Sequence, residues 1–263
     1  MRADGHILVI GGAGVDQKGR PRATVQLRQS NPGHLYQGWG GVARNIAENL
    51  ARLGLAVSLV SAVGDDAAGR GLLESCRACG IRTEATHVVP GQPTGGYLEV
   101  MDADGDLLVA VSDYGLLEDA LSVAWWQGQA ALFAEAQALV LDLNLPAPSL
   151  AAVLDLARAS GLAVMVDPTS ATHSVKLLPF LPQLYLVTPN AAEASVLCGW
   201  EVPAADPASA AAFSQDDMAM IARLPSRHSP PEAPCATAWC ASPGRAASGR
   251  TRRRRCRPTR RWN

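Results

Sequence analysis

The sequence predicts an α/β fold, a helix-flanked and mostly parallel sheet carrying a small β appendage. Three observations predict it. Apolar runs of strand length alternate with stretches of helical periodicity, as in strands joined by parallel crossovers. Gly38-Trp39-Gly40-Gly41 leads directly into an amphipathic run. Asp102-Ala103-Asp104-Gly105-Asp106 separates two strand-like segments and reads as a hairpin with Gly105 in its turn.

The elements follow in order. Residues 6–10 are a buried strand, and Gly11-Gly12-Ala13-Gly14 opens from it towards Asp16. Residues 42–53 are a helix: Ile46, Leu50 and Leu53 fall at i, i+4 and i+7, and Gly54 stops it. Residues 57–62 are a strand, 67–79 a helix ending at Gly80, and 82–88 a short strand. Residues 96–101 and 107–111 flank the hairpin turn, and 118–136 are helical. A strand at 138–143, a helix at 150–160, a strand at 162–166 and a short helix at 174–178 follow. A strand at 184–187 and a helix at 191–197 complete the readable part.

In such a sheet, ligands lie beyond the carboxyl ends of strands. Asp16, Asn144, Asp167 and Asn190 stand at or just past such ends. Asp16, read in a glycine-rich loop, either accepts bonds from two vicinal hydroxyls or closes an Asx-turn. Gly40 and Gly41 admit a ligand where a Cβ would collide, and leave free N–H groups at a helix start with Asn45 one turn in. A tight strand-to-helix turn without ligand fits the same spacing. Asn144 faces the crevice or turns the chain into the next helix. Asn190 and Glu193 suit either a hydrated hard cation or a capping box. Tyr97 and Glu99 share one side of a strand, where Tyr97 either meets a ligand or packs. Lys176, one of two lysines in the chain, reaches a base or lies on a solvated helix face.

Composition narrows the class. With 263 residues and 48% hydrophobic content, the chain can bury a large core. No apolar run is long enough to span a membrane, and the N-terminus lacks a leader pattern, so a cytoplasmic location is expected. Cys76 and Cys79 form a C-x-x-C without a second pair at zinc-finger spacing, and read as plain helix thiols. Residues 223–263 hold eleven arginines, six prolines and a single acid, Glu232. The formal net charge of −1 therefore divides into about +10 in that tail and about −11 before it.

Gly40-Gly41, Asn45 four residues on, and a helix ending in Leu53-Gly54 resemble the first signature of the PfkB (ribokinase-like) family of sugar and nucleoside kinases. Ser30-Asn31-Pro32-Gly33, the run from Gly41 to Ala47, Ser61-Ala62-Val63-Gly64-Asp65-Asp66 and Val166-Asp167-Pro168-Thr169-Ser170 resemble its pseudouridine kinase subgroup. The likeness runs from about residue 6 to about residue 222. It implies a ribokinase-like, Rossmann-like core at 1–222 with a β lid around 82–112. It also implies ATP-dependent phosphorylation, with Mg²⁺, of the 5′-hydroxyl of a ribosyl substrate. Asp16, Gly40, Gly41, Asn45, Tyr97 and Asn144 would then bind a small sugar or nucleoside, and Asn190 and Glu193 would act through the metal. A homodimer through the lid is the expected assembly; membrane and nucleic-acid partners are not expected.

The family's base and anion hole lie in a late Gly-x-Gly-Asp segment, and no such segment follows residue 200. No catalytic residue is therefore assigned, the C-terminal part of the fold is expected to be missing, and this chain is expected to be inactive. The tail at 223–263 reads as disordered or frameshifted, with a basic nucleic-acid-binding arm as the competing reading. A non-catalytic nucleoside- or sugar-binding remnant, or a basic-armed interaction protein, is the alternative function.

Overall fold

The computed structural model of the protein describes residues 5–199. The domain boundary expected at 222 and the arginine-rich tail lie outside the described residues. In chain order the elements begin with β1 (His6–Ile10), β2 (Gly14–Pro21), β3 (Gly33–Gly40), α1 (Val42–Arg52), β4 (Val57–Val60), β5 (Ala62–Gly64) and α2 (Ala67–Ala78). Next come β6 (Ile81–Arg82), β7 (His87–Val89), β8 (Gly96–Met101), β9 (Leu107–Asp113), α3 (Gly115–Ala120), α4 (Val123–Trp126) and α5 (Ala130–Glu135). The last are β10 (Ala136–Asp142), α6 (Ala147–Ala159), β11 (Ala163–Asp167), α7 (Ala171–Ser174), β12 (Leu186–Val187) and α8 (Ala191–Cys198).

Six strands form one parallel sheet in the order β12-β11-β10-β1-β4-β6. From β1 the chain lays β4 and β6 outward on one side, crosses back to β10, and lays β11 and β12 on the other. The strand order reverses between β1 and β10, so a crevice opens there at the carboxyl ends. Strand alternation feeds two cores. Ile7 and Val9 pack with Ile46 and Leu50 of α1 and Leu72 of α2. Leu8 and Ile10 pack on the opposite face with Trp126, Phe133, Leu150 and Val153. Each fully buried aliphatic side chain contributes about 1.5–3 kcal/mol, which is why the helices sit on both faces. Among the described residues no helix is long and apolar enough to cross a membrane.

The lid is a four-stranded sheet, β3-β2-β8-β9. Its β8–β9 hairpin is the predicted one: Asp102 Oδ1 accepts from the N–H groups of Gly105 and Asp106 at 2.7 and 2.8 Å. The lid's polarity is inverted. Register and alternation put Leu35, Leu98, Val109 and Val111 on one face and Asp16, Lys18, Tyr97 and Glu99 on the other. Leu35 is 91% exposed and Val111 60%, whereas Glu99 is only 9% exposed.

The structure corrects several expectations. Residues 14–21 and 33–40 are lid strands, not loop, and their glycines and polar side chains hide the alternation that marks a strand. The lid therefore does not coincide with residues 82–112: β6 is an edge strand of the core sheet, and β7 pairs with β5 in a separate two-stranded sheet. The strand expected at 57–62 breaks at Ser61, after which β5 pairs with β7 instead of continuing in the core sheet. The long helix expected at 118–136 is three short ones, α3 to α5. Trp126 anchors the break, buried and donating from Nε1 to the Leu121 carbonyl at 3.0 Å. The short helix expected at 174–178 is α7 followed by a 3₁₀ turn, Val175–Leu177.

Candidate active site

The crevice between β1 and β10 is organised by Asp142, the last residue of β10 and fully buried. Its Oδ2 accepts from the N–H groups of Gly12 at 2.8 Å and Ala43 at 2.9 Å, and its Oδ1 from Asn144 N–H at 2.9 Å. One carboxylate thus ties together the exit of β1, the start of α1 and the exit of β10. Burial raises its pKa, while those backbone donors pull it back down. Several donors at the start of α1 are already engaged. Ala43 N–H is taken by Asp142, Arg44 N–H by the Gly12 carbonyl at 3.1 Å, and Asn45 N–H by the Gly41 carbonyl at 2.9 Å.

Asp16 is the opposite case. It lies on β2, facing Gly38 of β3 and Tyr97 of β8 in register, and not in the loop expected after β1. A Cβ on Gly40 would fall 1.9 Å from its Oδ1, so the glycine makes room for this carboxylate. Among the described residues no donor hydrogen-bonds to it, although it is half-buried. Burial raises its pKa, Lys18 opposes that rise, Glu99 adds to it, and Arg44 opposes it.

Around Asp16 the structure gathers Tyr97, Gly41, Asn144 and an unforeseen Tyr114. A Cβ on Gly12 would sit 2.8 Å from Asn144 Nδ2 and 3.2 Å from Tyr114 Cε1, so all three crowd one spot. Tyr114 joins β9 to α3, and burial raises its hydroxyl's pKa, helped by the carboxylates of Asp16 and Asp142. Asn144 is buried, and its amide lies near Asp142, yet Nδ2 makes no well-aligned hydrogen bond. Its backbone is clamped. Leu143 N–H donates to Thr169 Oγ1 at 2.9 Å, and Lys176 Nζ donates to the carbonyls of Leu143 and Leu145, both at 2.9 Å. Lys176 therefore neither reaches for a base nor lies free on a helix face. Thr169 holds its clamp in the left-handed region, φ 66°, which costs about 1–3 kcal/mol in a β-branched residue. Asn45 is exposed in the first turn of α1, and its Oδ1 accepts from Arg44 Nη1 at 3.0 Å.

Asn190 and Glu193 stand apart at the start of α8 and form a complete capping box. Asn190 N–H and Nδ2 donate to the two Glu193 oxygens at 2.9 and 2.8 Å, and Glu193 N–H returns to Asn190 Oδ1 at 3.0 Å. Among the described residues no three acids, histidines or cysteines are arranged to grip a metal directly. The oxygens here are hard donors, and Asp167 at the end of β11 is pushed up to about 6 by burial, with Glu193 and Asp142 adding to the rise. Hard oxygen donors of this kind suit Mg²⁺ held through water rather than direct ligation by three groups.

Asp142 and Tyr114 are the crevice positions the sequence reading missed. The first had a signal, a lone carboxylate ending an otherwise apolar strand; the second had none, since its partners lie far away in the chain. The arrangement makes a prediction about Asp16. Its folded pKa lies above 3.8, so its contribution to stability is present below that pH and is lost as pH rises through the folded value. Asp16→Asn is therefore expected to melt at or above the wild-type temperature near neutral pH. A melting temperature several degrees lower would show that the carboxylate serves the fold.

The fold is a doubly wound α/β domain with a β lid over its crevice. The chain belongs to the pfkB family of carbohydrate kinases, which it matches over residues 5–223. It is 36% identical over 199 residues to the pseudouridine kinase of Escherichia coli (strain K12), covering 76% of this chain and 63% of that relative's length. A carbohydrate kinase from Agrobacterium tumefaciens is similar in structure, with a TM-score of 0.65 and 29% identity, covering 74% of this chain and 64% of the other. The Arabidopsis thaliana ribokinase complexed with ribose and ATP shares the fold, with a TM-score of 0.66 and 19% identity over 83% of this chain and 67% of the other.

Proposed function

We propose that the crevice between β1 and β10 binds a ribosyl compound, with pseudouridine the first candidate, as the acceptor side of an ATP-dependent kinase. One observation carries the reading: Asp16 is a half-buried carboxylate to which no described group donates, in space that Gly40 keeps open. A carboxylate in that state gains from two vicinal hydroxyl donors, and charge-assisted bonds of this kind contribute about 1.5–3 kcal/mol each. Asn144, with its unaligned amide and clamped backbone, adds a preorganised polar group, and Tyr97 and Tyr114 wall the space. Gly41 shapes the turn that brings α1 against the ligand. Asn45 completes the substrate side from the first turn of that helix. Mg²⁺ would be held through water by Glu193, Asn190 and Asp167, supplying charge neutralisation at the phosphates of ATP. The exposed apolar face of Leu35, Leu98, Val109 and Val111 fits self-association of two lids.

Phosphoryl transfer needs an oriented base and preorganised donors for the developing charge. The resemblance places both in a Gly-x-Gly-Asp segment that does not follow residue 200 in this sequence. The 263-residue chain is therefore expected to bind nucleoside without phosphorylating it at an ordinary rate. Incubation with ATP, Mg²⁺ and pseudouridine, uridine or ribose tests this. Turnover on the order of 1 s⁻¹ would demand a substitute base, whereas binding without turnover matches the proposal.

A further inference from the structure

We propose that Lys18 and Glu99 read the base of the bound nucleoside, Lys18 donating to a ring carbonyl and Glu99 accepting from a ring N–H. The inference rests on the reading of Asp16 as the sugar-hydroxyl acceptor. The two residues are cross-strand partners on the lid, Lys18 opposite Glu99, one same-face step beyond the Asp16–Tyr97 pair. At about 3.3 Å per residue along a strand, that step places them roughly 7 Å from Asp16. A furanose bound by its hydroxyls at Asp16 spans that distance, so its glycosidic substituent arrives at the pair.

The chemistry of the pair matches a ring that alternates carbonyl and N–H groups. Lys18 Nζ lies 2.6 Å from Glu99 Oε1, and the lysine side chain is 48% exposed while the glutamate side chain is 11% exposed. One ammonium donor faces Glu99 and two remain, since a lysine carries three. A uracil ring attached through carbon keeps both ring N–H groups, so it can meet the carboxylate and the ammonium together. Free ribose carries no ring carbonyl or ring N–H there, only a hydroxyl.

Lys18 and Glu99 face each other across the parallel β2–β8 pair; a plain structural pair of this kind would lie on the solvent face, with apolar side chains buried behind it. Here the order is reversed: Leu35, Leu98, Val109 and Val111 face out, and Glu99 is the buried member of the polar face. The pKa of Tyr97 rises through burial and through the carboxylates of Glu99 and Asp16, and that of Lys18 rises chiefly through its contact with Glu99. Asp16, Lys18, Tyr97 and Glu99 thus form one connected polar surface on the crevice side.

The test is calorimetric titration of the full chain with pseudouridine and with ribose, alongside thermal unfolding. Lys18→Met and Glu99→Gln are each expected to weaken pseudouridine binding about tenfold and leave ribose binding within twofold. The double variant Lys18→Met/Glu99→Leu, which leaves no orphan charge in the lid, should lose the same selectivity at an unchanged melting temperature. Unchanged pseudouridine affinity in all three variants overturns the assignment, as does an equal loss for ribose. If the wild-type chain binds neither compound, the reading of Asp16 fails first and takes this one with it.

Discussion

Replacing Asp142 with alanine is expected to cost roughly 3–6 kcal/mol of stability, because it orphans the N–H groups of Gly12, Ala43 and Asn144 in one step. Each sits where water has poor access, beside a side chain with no exposed surface. Part of the loss is returned, since burial holds the Asp142 pKa up and removing the charge relieves that strain. The total still rivals the 5–15 kcal/mol that holds a typical domain together. Urea denaturation of the full chain measures it. A loss below about 1 kcal/mol would mean that water or other acceptors satisfy the three donors, and that Asp142 does not organise the crevice.

Gly41→Ala is expected to be nearly as damaging, and for a reason of shape. Gly41 caps α1 with φ 93° and ψ 131°, a conformation that L side chains rarely adopt. A Cβ there would lie 2.3 Å from the Gly12 carbonyl oxygen and 2.6 Å from Ala13 Cα, both backbone atoms that cannot swing aside. Either the turn opens or α1 withdraws, and both shift Ala43 N–H away from Asp142. A loss of about 3 kcal/mol or more is expected, since strain and a broken buried hydrogen bond combine. Thermal unfolding within a degree or two of wild type would show that the turn tolerates a side chain. The glycine pair therefore acts in two ways: Gly41 serves the backbone, and Gly40 leaves space for Asp16.

These two residues also show what the sequence could and could not reveal. The helix after the glycine pair was legible because Ile46 and Leu50 recur at helical spacing and Gly54 ends the run. The hairpin was legible from Gly105, and the core strands from their apolar runs. The lid strands β2 and β3 were not, because sheet polarity there is inverted and the pattern Gly-Val-Asp-Gln-Lys-Gly-Arg-Pro carries no apolar alternation. Asp16 was singled out, but as a loop residue instead of the strand residue it is. Asp142 stood beside Asn144 in the same readable segment, and only the fold shows that its carboxylate spans 130 positions of chain to Gly12 and 99 to Ala43. The same long range hid Tyr114. The Asn190–Glu193 spacing fits a cap as well as the metal role the resemblance assigned it, and the structure builds that cap in full.

The central claim is that Asp16 accepts the hydroxyls of a ribosyl ligand in the crevice beneath the lid. Calorimetric titration of pseudouridine into the wild-type chain and into Asp16→Asn tests it most directly. One saturable site per chain is predicted, weakened about tenfold or more by the amide, which has no charge and one acceptor fewer. Acidification should weaken the wild-type site at a pH above the usual carboxylate value of 3.8, as burial-raised Asp16 takes up its proton. Equal affinity in the two proteins, with both folded, would contradict the account.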